Sequence, residues 1–331
     1  MQVIPAAPSV EGLTAVVTGG SRGLGLLMAR QLMQRGCDVV LLARGEAGLS
    51  RAVAKLDALS RGSVHSAVCD VRDGAAVRDR LAEVADEHGG LDIVIANAGI
   101  IQVGPAEALG PDGFREAMES IFNGTVNTAF AALPHLRRSA AGGRLALIGS
   151  VGGLLAVPHL LPYSCAKASV AALAEGLRAE EAAYGVTVTG IHPGLMRTGS
   201  HLHASFGGDR RREYAWFQPL AGAPFLSMNA ERAAERIVTA VQRRRPRVVL
   251  TPAAKLGSTA HGVAPVITSR LVSAAGRMLP RDGSHRETAE GAKVAAEEQP
   301  PARWLRAVLG VLNERAADRY NQRTGTKGHR W

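Results

Sequence analysis

Short apolar, β-branched runs alternate with longer helical stretches through the first two hundred residues, the pattern of a parallel sheet covered on both faces. The runs are TAVVT (14–18), DVVLLA (38–43), SVHSAVC (63–69), LDIVIA (91–96), RLALIG (144–149), VTVTGI (186–191) and, beyond residue 200, RVVLTP (247–252). Seven such strands with helices between most neighbours predict a doubly wound α/β sheet. In the stretch 73–88, Ala76, Val77, Leu81, Val84 and Ala85 recur at three- and four-residue spacing, so one stripe faces the sheet. The alanine-rich stretch 164–183 behaves similarly, and a further helix is expected near 230–243. Residues 200–228 mix aromatic, Gly/Pro and basic positions without a clean period and read as a mobile lid.

The boundaries drawn from this pattern are a main unit at 10–252 and a helical appendage at 253–331. The appendage is expected to hold a helix near 264–279, a polar connector at 285–301 and an amphipathic segment at 303–320. In that segment Trp304, Leu305, Val308, Leu309, Val311, Leu312, Ala316 and Tyr320 form an apolar stripe that must be covered. Packing on its own main unit ranks ahead of contact with a second subunit or an anionic membrane, because Glu314 and Asp318 oppose anionic lipid. Deleting 302–331 is expected to lower stability or substrate selectivity but to spare cofactor binding, since every cofactor motif precedes residue 200.

Composition narrows the class. With 331 residues the chain buries a core without staples, and Cys37, Cys69 and Cys165 have neither disulfide-framework nor zinc spacing. A reducing cytoplasm suits them, and no apolar run reaches the roughly 18 residues of a membrane span. Net charge is +10, but residues 1–199 carry 17 Lys/Arg against 18 Asp/Glu and residues 200–331 carry 22 against 11. The basic C-terminal part reads mainly as a solvated face; a weak membrane-surface or acidic carrier-protein contact is the alternative, and no nucleic-acid partner is expected.

Strand 14–18 runs into TGGSRGLG, where Gly19, Ser21, Arg22, Gly23, Leu24 and Gly25 precede or open a helix. Backbone amides at a helix N-terminus are a phosphate-binding arrangement, and a second strand follows at the distance a dinucleotide fold requires. With its three-residue gap between Gly19 and Gly23, this motif resembles TGxxxGxG of the short-chain dehydrogenase/reductase family. The resemblance spans residue 12 to about 200. It implies that Asp70 and Val71 contact adenine, and that Asn97, Ala98 and Gly99 support the central sheet.

An acid ending strand two would bind a ribose 2′-hydroxyl and repel a 2′-phosphate. Here Ala43 is followed by Arg44, and Arg22 precedes Gly23, which puts two guanidiniums where the extra phosphate of NADP(H) would lie.

Carbonyl/alcohol interconversion needs a group that trades a proton near neutral pH, and a free phenol is too weak an acid. In YSCAK, Tyr163 and Lys167 lie four apart on one helical face, so an ammonium can stabilise the phenolate. The family resemblance adds Ser150, thirteen residues earlier, as the hydrogen-bond partner of the substrate oxygen. It also assigns Pro193, Gly194 and Thr198 of PGxxxT to the nicotinamide amide, and Lys167 with Tyr163 to the nicotinamide ribose. One departure stands out: Ile121 occupies the position, three before Gly124, where the family usually carries a relay asparagine. Asn123 and Asn127 are turned about 200° and 240° away on an ideal helix.

His201 and His203 lack a third ligand, so no metal is expected, and Cys165 reads as a small buried side chain. Together these features imply an NADP-dependent oxidoreductase of a small lipophilic carbonyl or alcohol, working as a homo-oligomer. A reductase of carrier-tethered substrates and a catalytically silent NADP sensor or scaffold are the competing expectations. Lid aromatics Phe206, Tyr214, Trp216, Phe217 and Phe225 either line the substrate site or pack the lid down.

Overall fold

The computed structural model describes residues 8–58, 62–223, 226–281, 287–297 and 313–323. Its centre is a seven-stranded parallel sheet built from β1 (Thr14–Thr18), β2 (Asp38–Ala43), β3 (Val64–Val68), β4 (Ile93–Ala96), β5 (Arg144–Ile148), β6 (Thr187–His192) and β7 (Arg247–Val249). The spatial order is β7-β6-β5-β4-β1-β2-β3, so the winding reverses between β1 and β4. In such sheets the crevice at the strands' C-terminal ends beside the reversal is where a ligand binds.

The alternating strand geometry explains why β1 is apolar throughout: Ala15 and Val17 enter one core, Val16 the other. On the first face lie α1 (Gly23–Met33), α2 (Glu46–Asp57) and α8 (Ala230–Gln242); α1 packs on α8. The second face carries α3 (Gly74–Glu87), α5 (Gly124–Leu136) and α6 (Leu161–Glu181), whose Val77, Leu81, Leu133, Val170 and Ala174 are buried on the sheet. The expected stripe of 73–88 is this face of α3, capped by the Asp73 carboxylate, which accepts from the Ala75 and Ala76 amides at 3.0 Å. Between α4 (Ala106–Ala117) and α5, residues Met118–Asn123 form a π turn.

The lid is more regular than its sequence suggests. Residues Ser205–Phe206 pair in parallel with Gln102–Val103 and antiparallel with Ala289–Glu290, and α7 (Arg210–Gly222) follows. Phe206, Tyr214 and Phe217 are buried with Val103, Leu160 and Val294, so these aromatics pack the lid down. Phe225 lies outside the described residues.

Directly after β7 come two helices. The helix expected at 264–279 is α10 (Pro265–Gly276), but α9 (Pro252–Val263), which begins directly after the last strand, was not legible. Of the amphipathic tail segment, 303–312 lie outside the described residues. Its end is described: 313–319 are helical, and Ala316, Ala317 and Tyr320 are buried against the main sheet unit, the first-ranked covering.

Candidate active site

The cofactor half is assembled at the end of β1. Thr18 Oγ1 accepts from the backbone amides of Asn97 (3.0 Å) and Ala98 (3.1 Å), and Asn97 Nδ2 donates to the Thr18 carbonyl at 3.0 Å. The residues after β4 thus knit the two strands together at the reversal point. Gly25 packs so closely on the Gly19 carbonyl that any Cβ would collide with it, which seats the first turn of α1 directly on the loop. Helix geometry leaves the first amides without intrahelical partners; the fourth, of Leu26, reaches the Arg22 carbonyl at 3.3 Å. Ser21 and Leu24 are half-buried beside these donors.

Arg44 stands exposed just beyond the end of β2. Arg22 points the other way from a free guanidinium: its Nη1 lies 3.0 Å from Nε2 of His203 in the lid. Asp70, after β3, is gripped by Arg72 at 2.6 Å; that hydrogen-bonded pairing, with Arg44 adding to it, holds its carboxyl below the usual carboxylate range. Val71 packs under Gly124 at the π turn.

The second half lies where β5 and β6 end. Ser150 caps a short turn, Val151–Gly153, its Oγ accepting from the Gly152 amide at 3.0 Å. Gly153 presses against the Lys167 carbonyl with no room for a Cβ, which docks this turn on α6 and brings Ser150 to Tyr163. Burial raises the Tyr163 phenol, and a hydrogen bond with Ser150 pulls it partly back. Lys167 Nζ is 5.8 Å from the Tyr163 ring centroid and donates to the Ile148 carbonyl at 2.6 Å. Desolvation lowers its pKa to about 8, so the ammonium still predominates at neutral pH. Ser150, Tyr163 and Lys167 therefore meet as their spacing implies.

Ile121 fills the space opposite. It is fully buried in the π turn, 3.4 Å from where a Cβ on Gly99 would stand, close to the Lys167 ammonium. Asn127 is occupied elsewhere, donating to the carbonyls of Val71 (2.9 Å) and Arg72 (3.3 Å), and does not replace a relay side chain.

Pro193, Gly194 and Thr198 follow β6; the Pro193 carbonyl accepts from the Val151 amide at 2.8 Å, tying this loop to the Ser150 turn. Behind both sits His192, which sequence reasoning missed. It is buried against Gly149, and desolvation lowers its pKa to about 4, so it is neutral. Also missed was a lid clasp: the fully buried Glu213 meets His159 Nδ1 and Trp216 Nε1, each at 2.8 Å.

His201 and His203 do not form a metal pair. His201 is buried between Glu314 (Nε2, 2.9 Å) and Asn313 (Nδ1, 2.9 Å), and His203 Nε2 donates to the Gln322 carbonyl at 2.7 Å. No cluster of three or more His, Cys, Asp or Glu able to hold a metal occurs among the described residues. Cys165 is exposed, contrary to the expected burial: on α6 it faces outward while Ala166 and Lys167 face the core. Although every cofactor motif precedes residue 200, the tail reaches the cofactor loop itself: its Tyr320 carbonyl accepts from the Gly23 amide at 2.9 Å.

The model of the short chain dehydrogenase family matches residues 13–205. An L-fucose dehydrogenase of Oryctolagus cuniculus is 38% identical over 216 residues, covering 63% of this chain and 73% of the relative. A granaticin polyketide synthase putative ketoacyl reductase of Streptomyces violaceoruber is 35% identical over 191 residues, covering 56% and 68%. A short chain dehydrogenase from Mycobacterium paratuberculosis, solved bound to NAD, superposes with a TM-score of 0.67 at 24% identity, covering 75% of this chain and all of that one.

Proposed function

Since the chain belongs to the short chain dehydrogenase family, oxidoreductases of alcohol and carbonyl groups, we propose that it is an NADP(H)-dependent reductase/dehydrogenase of a small lipophilic substrate. The observation that carries this reading is the convergence of Ser150, Tyr163 and Lys167 at the open end of the sheet. Residues 10–252 are read as the catalytic and cofactor unit and 253–331 as an appendage.

The residues present suit a dinucleotide. The open amides of α1 and the close-packed Gly19 and Gly25 accept a diphosphate, while Asp70, Val71, Asn97, Ala98 and Gly99 form the adenosine side and Pro193, Gly194 and Thr198 the nicotinamide side. NADP(H) is favoured over NAD(H) because β2 ends in Ala43 and Arg44 with no acid, and because Arg22 and Arg44 lie near enough to feel each other's charge, two guanidiniums at the end of the site where an acid would otherwise stand.

When bound, the nicotinamide gives or takes the hydride. In the reducing direction Tyr163 donates its phenolic proton to the carbonyl oxygen, and the Ser150 hydroxyl holds that oxygen beside it. Lys167, cationic at neutral pH, offsets the charge left on the phenolate; in the oxidising direction the phenolate takes the alcohol proton. With Ile121 at the usual asparagine position, the lysine's proton contact inside the protein is the Ile148 carbonyl.

A lipophilic substrate is supported by the walls near Tyr163, which include Val157, Leu160 and Trp216. The ketoacyl reductase relative favours, as second reading, a carbonyl tethered to an acidic carrier protein docking on the basic C-terminal part. The intact catalytic set weighs against a silent sensor or scaffold. A homo-oligomer in the cytoplasm completes the reading; no described helix is long and apolar enough to cross a membrane. Peripheral membrane contact falls to α9 and α10, where Leu256, Val263, Val266, Ile267, Leu271 and Met278 are 61% to 87% exposed. Residues 252–281 carry Lys255, Arg270, Arg277 and Arg281 and no Asp or Glu, which complements an anionic surface.

The test is a panel of apolar ketones and aldehydes with NADPH and NADH, followed by absorbance loss. Wild type is expected to turn over with NADPH preferred, and Tyr163→Phe to lose at least about 100-fold in rate while still binding nucleotide. Arg44→Ala should erode the preference. Substantial turnover by Tyr163→Phe would remove the acid/base assignment, and equal affinity for the two nucleotides would remove the arginine argument.

A further inference from the structure

Residues 313–323 return to the start of the fold and touch three of its loops. The Tyr320 carbonyl accepts from the Gly23 amide at 2.9 Å. Asn321 Nδ2 donates to the carbonyls of Ser21 (2.7 Å) and Gly48 (3.2 Å), and its Oδ1 accepts from Arg51 Nε at 3.1 Å. Gln322 Nε2 donates to the Thr198 carbonyl at 2.9 Å, and Asn313 Oδ1 accepts from the Gly199 amide at 2.9 Å. Asn313, Tyr320, Asn321 and Gln322 are all buried. Asn321 adopts a left-handed backbone, φ 62°, which aims its amide at the Ser21 and Gly48 carbonyls at once.

The three loops are the glycine loop, the first turn of α2 beyond Arg44, and the loop after Pro193-Gly194. A dinucleotide runs its adenosine ribose and diphosphate along the first two and its nicotinamide along the third, so their spacing sets the fit. The tail takes the first amide of α1, that of Gly23; those of Leu24 and Gly25 lack intrahelical partners by position. Its own side-chain donors go to the Ser21 and Thr198 carbonyl oxygens, groups that would repel a phosphate rather than bind it.

We propose that residues 313–323 are a latch of the dinucleotide site, with Asn321 and Gln322 as positioning residues that fix the glycine loop against α2 and the Thr198 loop. The latch serves either nucleotide and does not depend on the preference for NADP(H).

The full chain carrying Asn321→Gly, Gln322→Ala or both is titrated with NADPH and with NADH by protein fluorescence, alongside cofactor KM, kcat and the melting temperature without nucleotide. Asn321→Gly keeps the left-handed backbone and removes only the side-chain bonds. Removing the four side-chain hydrogen bonds should raise the nucleotide Kd about tenfold in the double variant. The rise should appear in cofactor KM rather than kcat and in excess of any drop in melting temperature. Arg51→Ala, which alters the latch from the α2 side, should weaken binding in the same direction by less. Unchanged Kd in folded single variants would overturn the latch. Tighter binding in the variants would overturn it too, and would make the tail a plug.

Discussion

His192 and Lys167 stand on the same wall behind Ser150, and burial holds both below their solution pKa values, at about 4 and about 8. For His192 the folded value lies below the ordinary 6.5, so between pH about 6.5 and 4 the unfolded chain binds more protons than the folded one. Stability therefore rises with pH across that window and is lost as pH falls through it, by up to roughly 3 kcal/mol in full. Urea unfolding at pH 7, 6 and 5 should show this slope in wild type and a shallower one in His192→Gln; identical slopes would clear His192 of the acid sensitivity. At this scale the sequence revealed what was local. Tyr163 and Lys167 are four apart on one helix, and the glycine loop is contiguous, whereas His192 matters only because β6 ends beside the Ser150 turn. Cys165 is exposed because it lies two residues, about 200° of helical turn, from the inward-facing Lys167.

The seven strands were legible because both sheet faces are covered, which forces near-continuous apolar runs. The π turn at Met118–Asn123 was not, since one inserted residue leaves the surrounding apolar spacing nearly intact. Nor was α9, whose residues are mostly exposed and so carry no apolar stripe to detect. The lid looked irregular because its order comes from pairing with 102–103 and 289–290, far away in sequence. Position within an element also decides chemistry: Gly153 lets the turn after Ser150 touch the Lys167 backbone. Gly153→Ala must push that turn off α6, and about 1–3 kcal/mol of stability should go with it. Chemical denaturation would read that loss, and turnover should fall further than stability does because the Ser150–Tyr163 contact opens. Full activity in a folded Gly153→Ala protein would mean that the turn has slack the packing does not suggest.

Over the whole molecule the charge is divided, near balance before residue 200 and strongly basic after it, and part of that excess sits on the exposed α9–α10 pair. This pair adjoins the turn leading to Tyr163: Gly257 faces Leu155, and Gly276 faces Pro158. Each basic side chain near an anionic bilayer contributes about 1 kcal/mol, and the exposed apolar side chains add to it. The protein should sediment with phosphatidylserine vesicles at low salt, release as salt rises, and bind phosphatidylcholine poorly. Ile267→Glu with Leu271→Glu should abolish the association. Absence of binding to anionic vesicles would end the membrane reading and leave a solvated face or a carrier-protein dock as the use of this charge.

Asn321 meets Ser21 across 300 positions of sequence. At a synthesis rate of about 5–20 residues per second, roughly 15–60 s separate the emergence of those two partners from the ribosome. The glycine loop is thus translated, and free to fold with β1 and α1, well before Asn321 can reach it. On the latch proposed above, a nascent chain in that interval carries every glycine of the phosphate cradle and yet holds nucleotide loosely.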